Sequence, residues 1–176
     1  LLLTPDHYTN RMLHSAAGVD LADLGVPVGT PLTEAQSRAG FRLLCENWRV
    51  LRGTPVQFWF ESSFHDVFGV TVRPSAETAD QIYDQIADCL TRDEYRPRAL
   101  YKRFNIEAMA TTDDPCSDLS AHAKLAADPT WTGRVVPTFR PDAYLEAARP
   151  GWRALTDNLA RVTDVDITSY ASHVEA

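Results

Sequence analysis

Residues 106–111 (IEAMAT) and 134–139 (RVVPTF) constrain this chain more than any other feature. Each is a short, partly β-favouring run bounded by polar residues, and a helical stretch at 117–127 lies between them. Helical patterns return at 142–148 and 152–162, and from residue 167 another helix begins. Strand, helix, strand, helix at this spacing is a βαβ unit, whose two strands lie parallel and adjacent. The chain is therefore expected to be an α/β protein. Parallel sheets are covered on both faces and usually hold roughly four or more strands. Only two are legible here, both late in the chain. The expectation is an internal piece of a larger α/β enzyme.

The preceding residues read as helices. Asp6 is a candidate N-cap for a helix to residue 17, and Gly18 is placed to end it. A loop with Gly25, Pro27, Gly29 and Pro31 follows. Thr33 and Glu34 open a second helix to Leu51, with Phe41, Leu44, Trp48 and Leu51 stepping by three and four. Arg52-Gly53-Thr54-Pro55 stops it and starts a third, with Thr54 as N-cap and Pro55 at the first helical position. Its apolar stripe is Val56, Trp59, Phe60, Phe64, Val67 and Phe68, read as helix core, and Gly69 closes it. Ser75 is expected to cap a fourth helix that buries Ala79, Ile82, Tyr83, Ile86, Cys89 and Leu90, and a short helix is expected at 97–104. The organisation is a helical region at 1–104 and a βα region at 105–176.

Composition excludes several classes. Seventeen basic residues against twenty-four acidic give a net charge of −7, the wrong sign for a nucleic-acid partner. No apolar run approaches the roughly 20 residues that a membrane span needs. Cys45, Cys89 and Cys116 are widely spaced, so they read as reduced thiols of a cytoplasmic protein. No G-x-G-x-x-G, Walker A or G-x-S-x-G motif is present.

In α/β proteins of this kind, function gathers at the carboxyl ends of strands. The first strand runs out into Thr111-Thr112-Asp113-Asp114-Pro115 and the second into Phe139-Arg140-Pro141-Asp142. Arg140 could clamp a substrate carboxylate in a bidentate pair. Asp114 and Asp142 could equally well cap the helices that follow them. His7-Tyr8 falls in the first helical turn, where the cationic form of a histidine is disfavoured; on the residues alone, a surface histidine beside a packed tyrosine is the simpler reading. His14 and His65, the latter in Glu61-x-x-x-His65, match no metal-ligand spacing and read as structural. His122 and His173 are expected to be exposed. Spacing alone stops at a polar rim on a βα enzyme piece.

Longer motifs go further. Asp6-His7-Tyr8 with Arg11 and Ser15-Ala-Ala-Gly18-Val19, Leu24-Gly25-Val26, Arg52-Gly53-Thr54-Pro55, Phe68-Gly69-Val70 and Glu77-Thr78-Ala79-Asp80 stand in order. Arg96-Pro-Arg98-Ala-Leu, Phe104-Asn105-Ile106-Glu107, Ala110-Thr111-Thr112-Asp113-Asp114-Pro115 and Pro137-Thr138-Phe139-Arg140-Pro141-Asp142 complete the set. In these stretches the chain resembles the uronate (glucuronate) isomerases of the amidohydrolase superfamily. The resemblance implies a (β/α)8 TIM barrel, of which this piece would hold strands two and three preceded by a mainly helical insertion. It implies interconversion of D-glucuronate and D-fructuronate, and of D-galacturonate and D-tagaturonate, by proton transfer between C2 and C1.

By the same resemblance, Tyr8 and His7 match a catalytic His-Tyr pair, with Tyr8 as proton shuttle and His7 bonded to sugar hydroxyls. Arg140 matches the arginine that holds substrate oxygens, and Thr112 and Asp113 match the strand-two rim. Such enzymes carry a divalent metal, often zinc, held by a His-x-His and a late Asp that are not among these residues. The metal therefore belongs to the full-length parent, and the piece alone is expected to bind none and to turn over no uronate. The implied partner is a small-molecule uronate, with neither nucleic acid nor membrane, and a homo-oligomer of the parent stays open. Two alternatives remain: another amidohydrolase-type hydrolase, or a non-catalytic helical binding module.

Overall fold

The computed structural model describes residues 6–19 and 32–176. The loop around Gly25, Pro27, Gly29 and Pro31, with Leu24-Gly25-Val26, lies outside the described residues, as does the side chain of His7. The chain divides into two compact units, Leu1–Leu100 and Tyr101–Ala176.

The first unit is helical. Helix α1 (His7–Ala17) starts where the Asp6 side chain accepts from the Thr9 amide, and ends at Gly18 in the left-handed conformation (φ 67°). Helix α2 (Glu34–Glu46) opens with a reciprocal capping box between Thr33 and Gln36, an arrangement that satisfies two orphan donors at once. The expected continuation to Leu51 instead tightens into a 3₁₀ turn, Trp48–Leu51. That turn still delivers Trp48 and Leu51 to the core.

Helix α3 (Pro55–Ser62) is capped by Thr54 and followed by a π-helical turn, Ser63–Val67. The wider turn, closed by Phe68 N–H to Ser63 C=O at 3.3 Å, breaks the single stripe expected from the sequence. Phe64 and Phe68 are buried, whereas Trp59 remains 63% exposed. Helix α4 (Ala79–Leu90) is not capped by Ser75. The Ser75 amide donates to the Thr78 hydroxyl at 2.9 Å in a turn before the helix. Ala79, Ile82, Tyr83, Ile86 and Cys89 are buried as expected, but Leu90 is exposed.

The core of this unit joins Leu13, Phe41, Leu44, Leu51, Phe64, Ile82 and Ile86. Burying each such side chain contributes about 1.5–3 kcal/mol. Phe41 makes edge contacts with Phe64 and Tyr83, ring centroids 6.1 and 5.8 Å apart. Arg42 clamps Asp80 of α4 with two bonds of 2.8 Å, and Arg38 reaches Asp84 at 2.7 Å.

Helix α5 (Pro97–Arg103) leads into the second unit. Strands β1 (Ala108–Asp113) and β2 (Arg134–Phe139) pair in parallel, Ala108 opposite Arg134 and Asp113 opposite Phe139. β1 thus begins two residues later than the sequence suggests and takes in Thr112 and Asp113. The reason is the register: six residues of each strand pair, while Asn105 just upstream adopts a positive φ of 50°. The crossover helix α6 (Ser120–Ala126) is shorter than expected, and Leu119 before it is left-handed. Helices α7 (Asp142–Leu145), α8 (Trp152–Thr163) and α9 (Tyr170–Glu175) follow. The Tyr101 hydroxyl accepts from the Arg134 amide at 3.1 Å, tying the end of α5 to the start of β2.

Candidate functional site

Side chains alternate faces along a strand, and β1 uses this to separate neighbouring polar residues. Thr111 and Asp113 turn towards α6 and are half-buried, and Thr112 between them is exposed. Thr112 pairs in register with Thr138, which is also exposed. Arg140 follows β2 directly at the same carboxyl end of the sheet.

Arg140 donates through Nε to Asp142 Oδ2 at 2.8 Å, with its side chain 51% exposed. The guanidinium beside it holds the Asp142 carboxyl below the usual carboxylate range. Asp142 therefore serves Arg140 and does not cap α7. Asp114 does not cap α6 either. Its Oδ1 accepts from the Cys116 amide and from the Tyr144 hydroxyl, both at 2.8 Å. Burial first, then Cys116 and Asp114, push the Tyr144 phenol well above its ordinary value.

His122 is not the exposed residue that the sequence suggests. Its Nε2 lies 2.8 Å from the Thr111 hydroxyl, which also lies 2.6 Å from Asp113 Oδ2. The signal was present: His122 and Leu125 stand three apart on α6, and both are half-buried. His173 is half-buried too, its ring 5.7 Å from that of Trp152. His65 is exposed and pairs with Asp66 at 2.8 Å.

In the first unit, Tyr8 stands in the first turn of α1 and is 65% exposed. With Met12, Val56, Trp59 and Phe60 it lines a largely apolar groove of about 670 Å3 between α1 and α3. Among the described residues no three His, Cys, Asp or Glu side chains gather to hold a metal ion. The donors among the described residues thus do not fit the implied cation. Among the described residues no helix is long and apolar enough to cross a membrane.

The family profile described as glucuronate isomerase matches residues 1–176, the whole chain. The chain belongs to the glucuronate isomerase family. A uronate isomerase of Cutibacterium acnes is 52% identical across all 176 residues, and one of Rhizobium meliloti is 45% identical over 178 aligned positions. The chain spans 37% of the length of each of these relatives. The crystal structure of glucuronate isomerase from Caulobacter crescentus superposes with a TM-score of 0.84 at 38% identity, over 99% of this chain and 36% of that one. Uronate isomerase from Thermotoga maritima, at 23% identity and a TM-score of 0.77, shares the fold. Family membership thus covers both units, from the Tyr8 helix to the turn beyond Arg140.

Proposed function

We propose that these residues form part of an aldose–ketose isomerase that interconverts D-glucuronate with D-fructuronate and D-galacturonate with D-tagaturonate. The observation that carries this reading is the unbroken match to uronate isomerases over all 176 residues. The second unit supports a larger architecture around it. Met109 and Phe139 are exposed on a two-stranded parallel sheet, whereas parallel sheets are normally covered on both faces. We read β1 and β2 as the second and third strands of a (β/α)8 barrel, with residues 1–104 as a helical insertion before them. The complete enzyme is placed in the cytoplasm and needs neither nucleic acid nor a membrane; it carries the divalent metal on residues outside this segment and is free to form a homo-oligomer.

The segment supplies binding and proton transfer. Arg140, a permanently charged planar fork at the sheet's carboxyl end, holds the substrate carboxylate or a hydroxyl oxygen. Thr112 offers a hydroxyl on the exposed face, and Asp113 belongs to the same strand end. Tyr8 shuttles the proton: C2–H is lost to form a cis-enediol, C1 takes up a proton, and the hydroxyl proton passes from O2 to O1. His7 hydrogen-bonds to the sugar hydroxyls. Fixing an open-chain sugar acid in one conformation is itself a large part of the barrier lowering.

The test is a substrate panel on the complete isomerase that carries this segment. Turnover of D-glucuronate to the ketose, with KM raised by roughly tenfold or more in Arg140→Gln, is expected, as befits loss of a charge-assisted pair. Hydrolysis of esters or amides without uronate turnover would assign the segment to another amidohydrolase-type enzyme. The 176-residue chain alone is expected to show no isomerase turnover.

A further inference from the structure

The Thr111 hydroxyl has one proton and three neighbours that could take it. Asp113 Oδ2 lies at 2.6 Å, His122 Nε2 at 2.8 Å and the Val136 carbonyl at 3.3 Å. The carboxylate is both the nearest and the charged acceptor, so the proton goes there. The imidazole must then donate through Nε2–H to the hydroxyl oxygen, which fixes its tautomer. Direct contact between His122 Nε2 and Asp113 Oδ2, at 3.7 Å, is too long for a hydrogen bond. Thr111 is therefore the intermediary.

The three groups are well shielded: the His122 and Asp113 side chains are 16% and 19% exposed. Thr111 and Asp113 flank Thr112 in the chain and meet His122 on the α6 side of β1. A strand whose flanking residues are clasped on one face has little freedom to rotate the residue between them on the other.

We propose that His122 is a positioning residue for the strand-two rim. It closes a His122–Thr111–Asp113 clasp that fixes the carboxyl end of β1 and thereby the aim of the Thr112 hydroxyl at the sugar acid. The proposal rests on reading that rim as the substrate site. It also gives Asp113 its part: the carboxylate anchors the clasp from the helix side.

The experiment measures kcat and KM for D-glucuronate in the complete isomerase carrying this segment, well below each variant's melting temperature. His122→Leu and Thr111→Val are each expected to lower kcat/KM by about tenfold, because small displacements of positioning groups cost rate steeply. The double variant is expected to be no worse than the weaker single one, since both cut the same chain of bonds. His122→Gln, whose amide nitrogen can stand where Nε2 stands, is expected to stay within about twofold, and it keeps the test open if the leucine variant does not fold. Wild-type kcat/KM in folded His122→Leu and Thr111→Val, with only the melting temperature lowered, would overturn the clasp. Arg140→Gln separates the two failures. An impaired Arg140 variant beside unimpaired clasp variants overturns the positioning role alone. An unimpaired Arg140 variant overturns the rim reading and the clasp with it.

Discussion

The Tyr144 hydroxyl donates to Asp114 Oδ1 at 2.8 Å across thirty residues of sequence. It ties the segment leaving β1 to the turn after β2 that begins with Arg140. Trp152 Nε1 locks the same turn by donating to the Tyr144 carbonyl at 2.6 Å. Tyr144→Phe removes the phenol donor from a charged acceptor and is expected to cost about 1.5–3 kcal/mol. Chemical-denaturation midpoints check this; a midpoint equal to the wild type would show that Asp114 is satisfied without Tyr144.

Gly133 has no room for a side chain. A Cβ there would meet the rings of Trp131 and Tyr101, the latter at 2.6 and 2.8 Å. Those rings pack edge to face with centroids 4.8 Å apart, and the Tyr101 hydroxyl is held by the Arg134 amide at the start of β2. Gly133→Ala is expected to destabilise by about 1–3 kcal/mol, as overpacking does. A melting temperature unchanged in Gly133→Ala would contradict the close approach.

Asp80 contributes to the pH dependence of the first unit. Its carboxyl is held below its ordinary value, chiefly by the hydrogen bond from Arg42 and then by Arg38. A depressed folded-state pKa adds stability that is present above the unfolded value of about 3.9 and is lost as pH falls through the folded one. Asp80→Asn should therefore be less stable than the wild type at pH 7, with the difference shrinking in strong acid. Parallel denaturation curves at both acidities would show whether the gap closes; a constant gap would mean that the ion pairs contribute nothing.

Thiol reactivity should separate the cysteines. Cys45 is buried, and burial pushes its thiol up to about 12; Cys89 is buried too, whereas Cys116 is half-buried. A thiolate is the reactive form. Mass spectrometry after brief labelling at pH 8 should find the label on Cys116 first. Equal labelling of Cys45 would place it nearer solvent than the fold does.

The helices were legible wherever their ends carry local chemistry. Asp6, Thr33 and Thr54 cap where the sequence suggests, because a cap needs only residues three positions away. Ser75, Asp114 and Asp142 looked like the same signal. Each was drawn off by a competing partner: the Ser75 hydroxyl by Glu77, Asp114 by the Tyr144 hydroxyl and Asp142 by Arg140. The βα pattern gave β1 and β2, but pairing register set the true start of β1. Tyr8, Thr112, Asp113 and Arg140 were marked by motif. The role of His122 was not, because its partner Thr111 is eleven residues away and on another element.

The proton-shuttle role of this segment rests on Tyr8. The most direct test is the turnover of D-glucuronate by the complete isomerase carrying Tyr8→Phe. Loss of a positioned proton shuttle is expected to lower kcat by about 10²–10⁴-fold, with KM changed little, because the ring and its place on α1 remain. A kcat equal to the wild type would contradict it and leave this segment a binding scaffold without a part in the proton transfer.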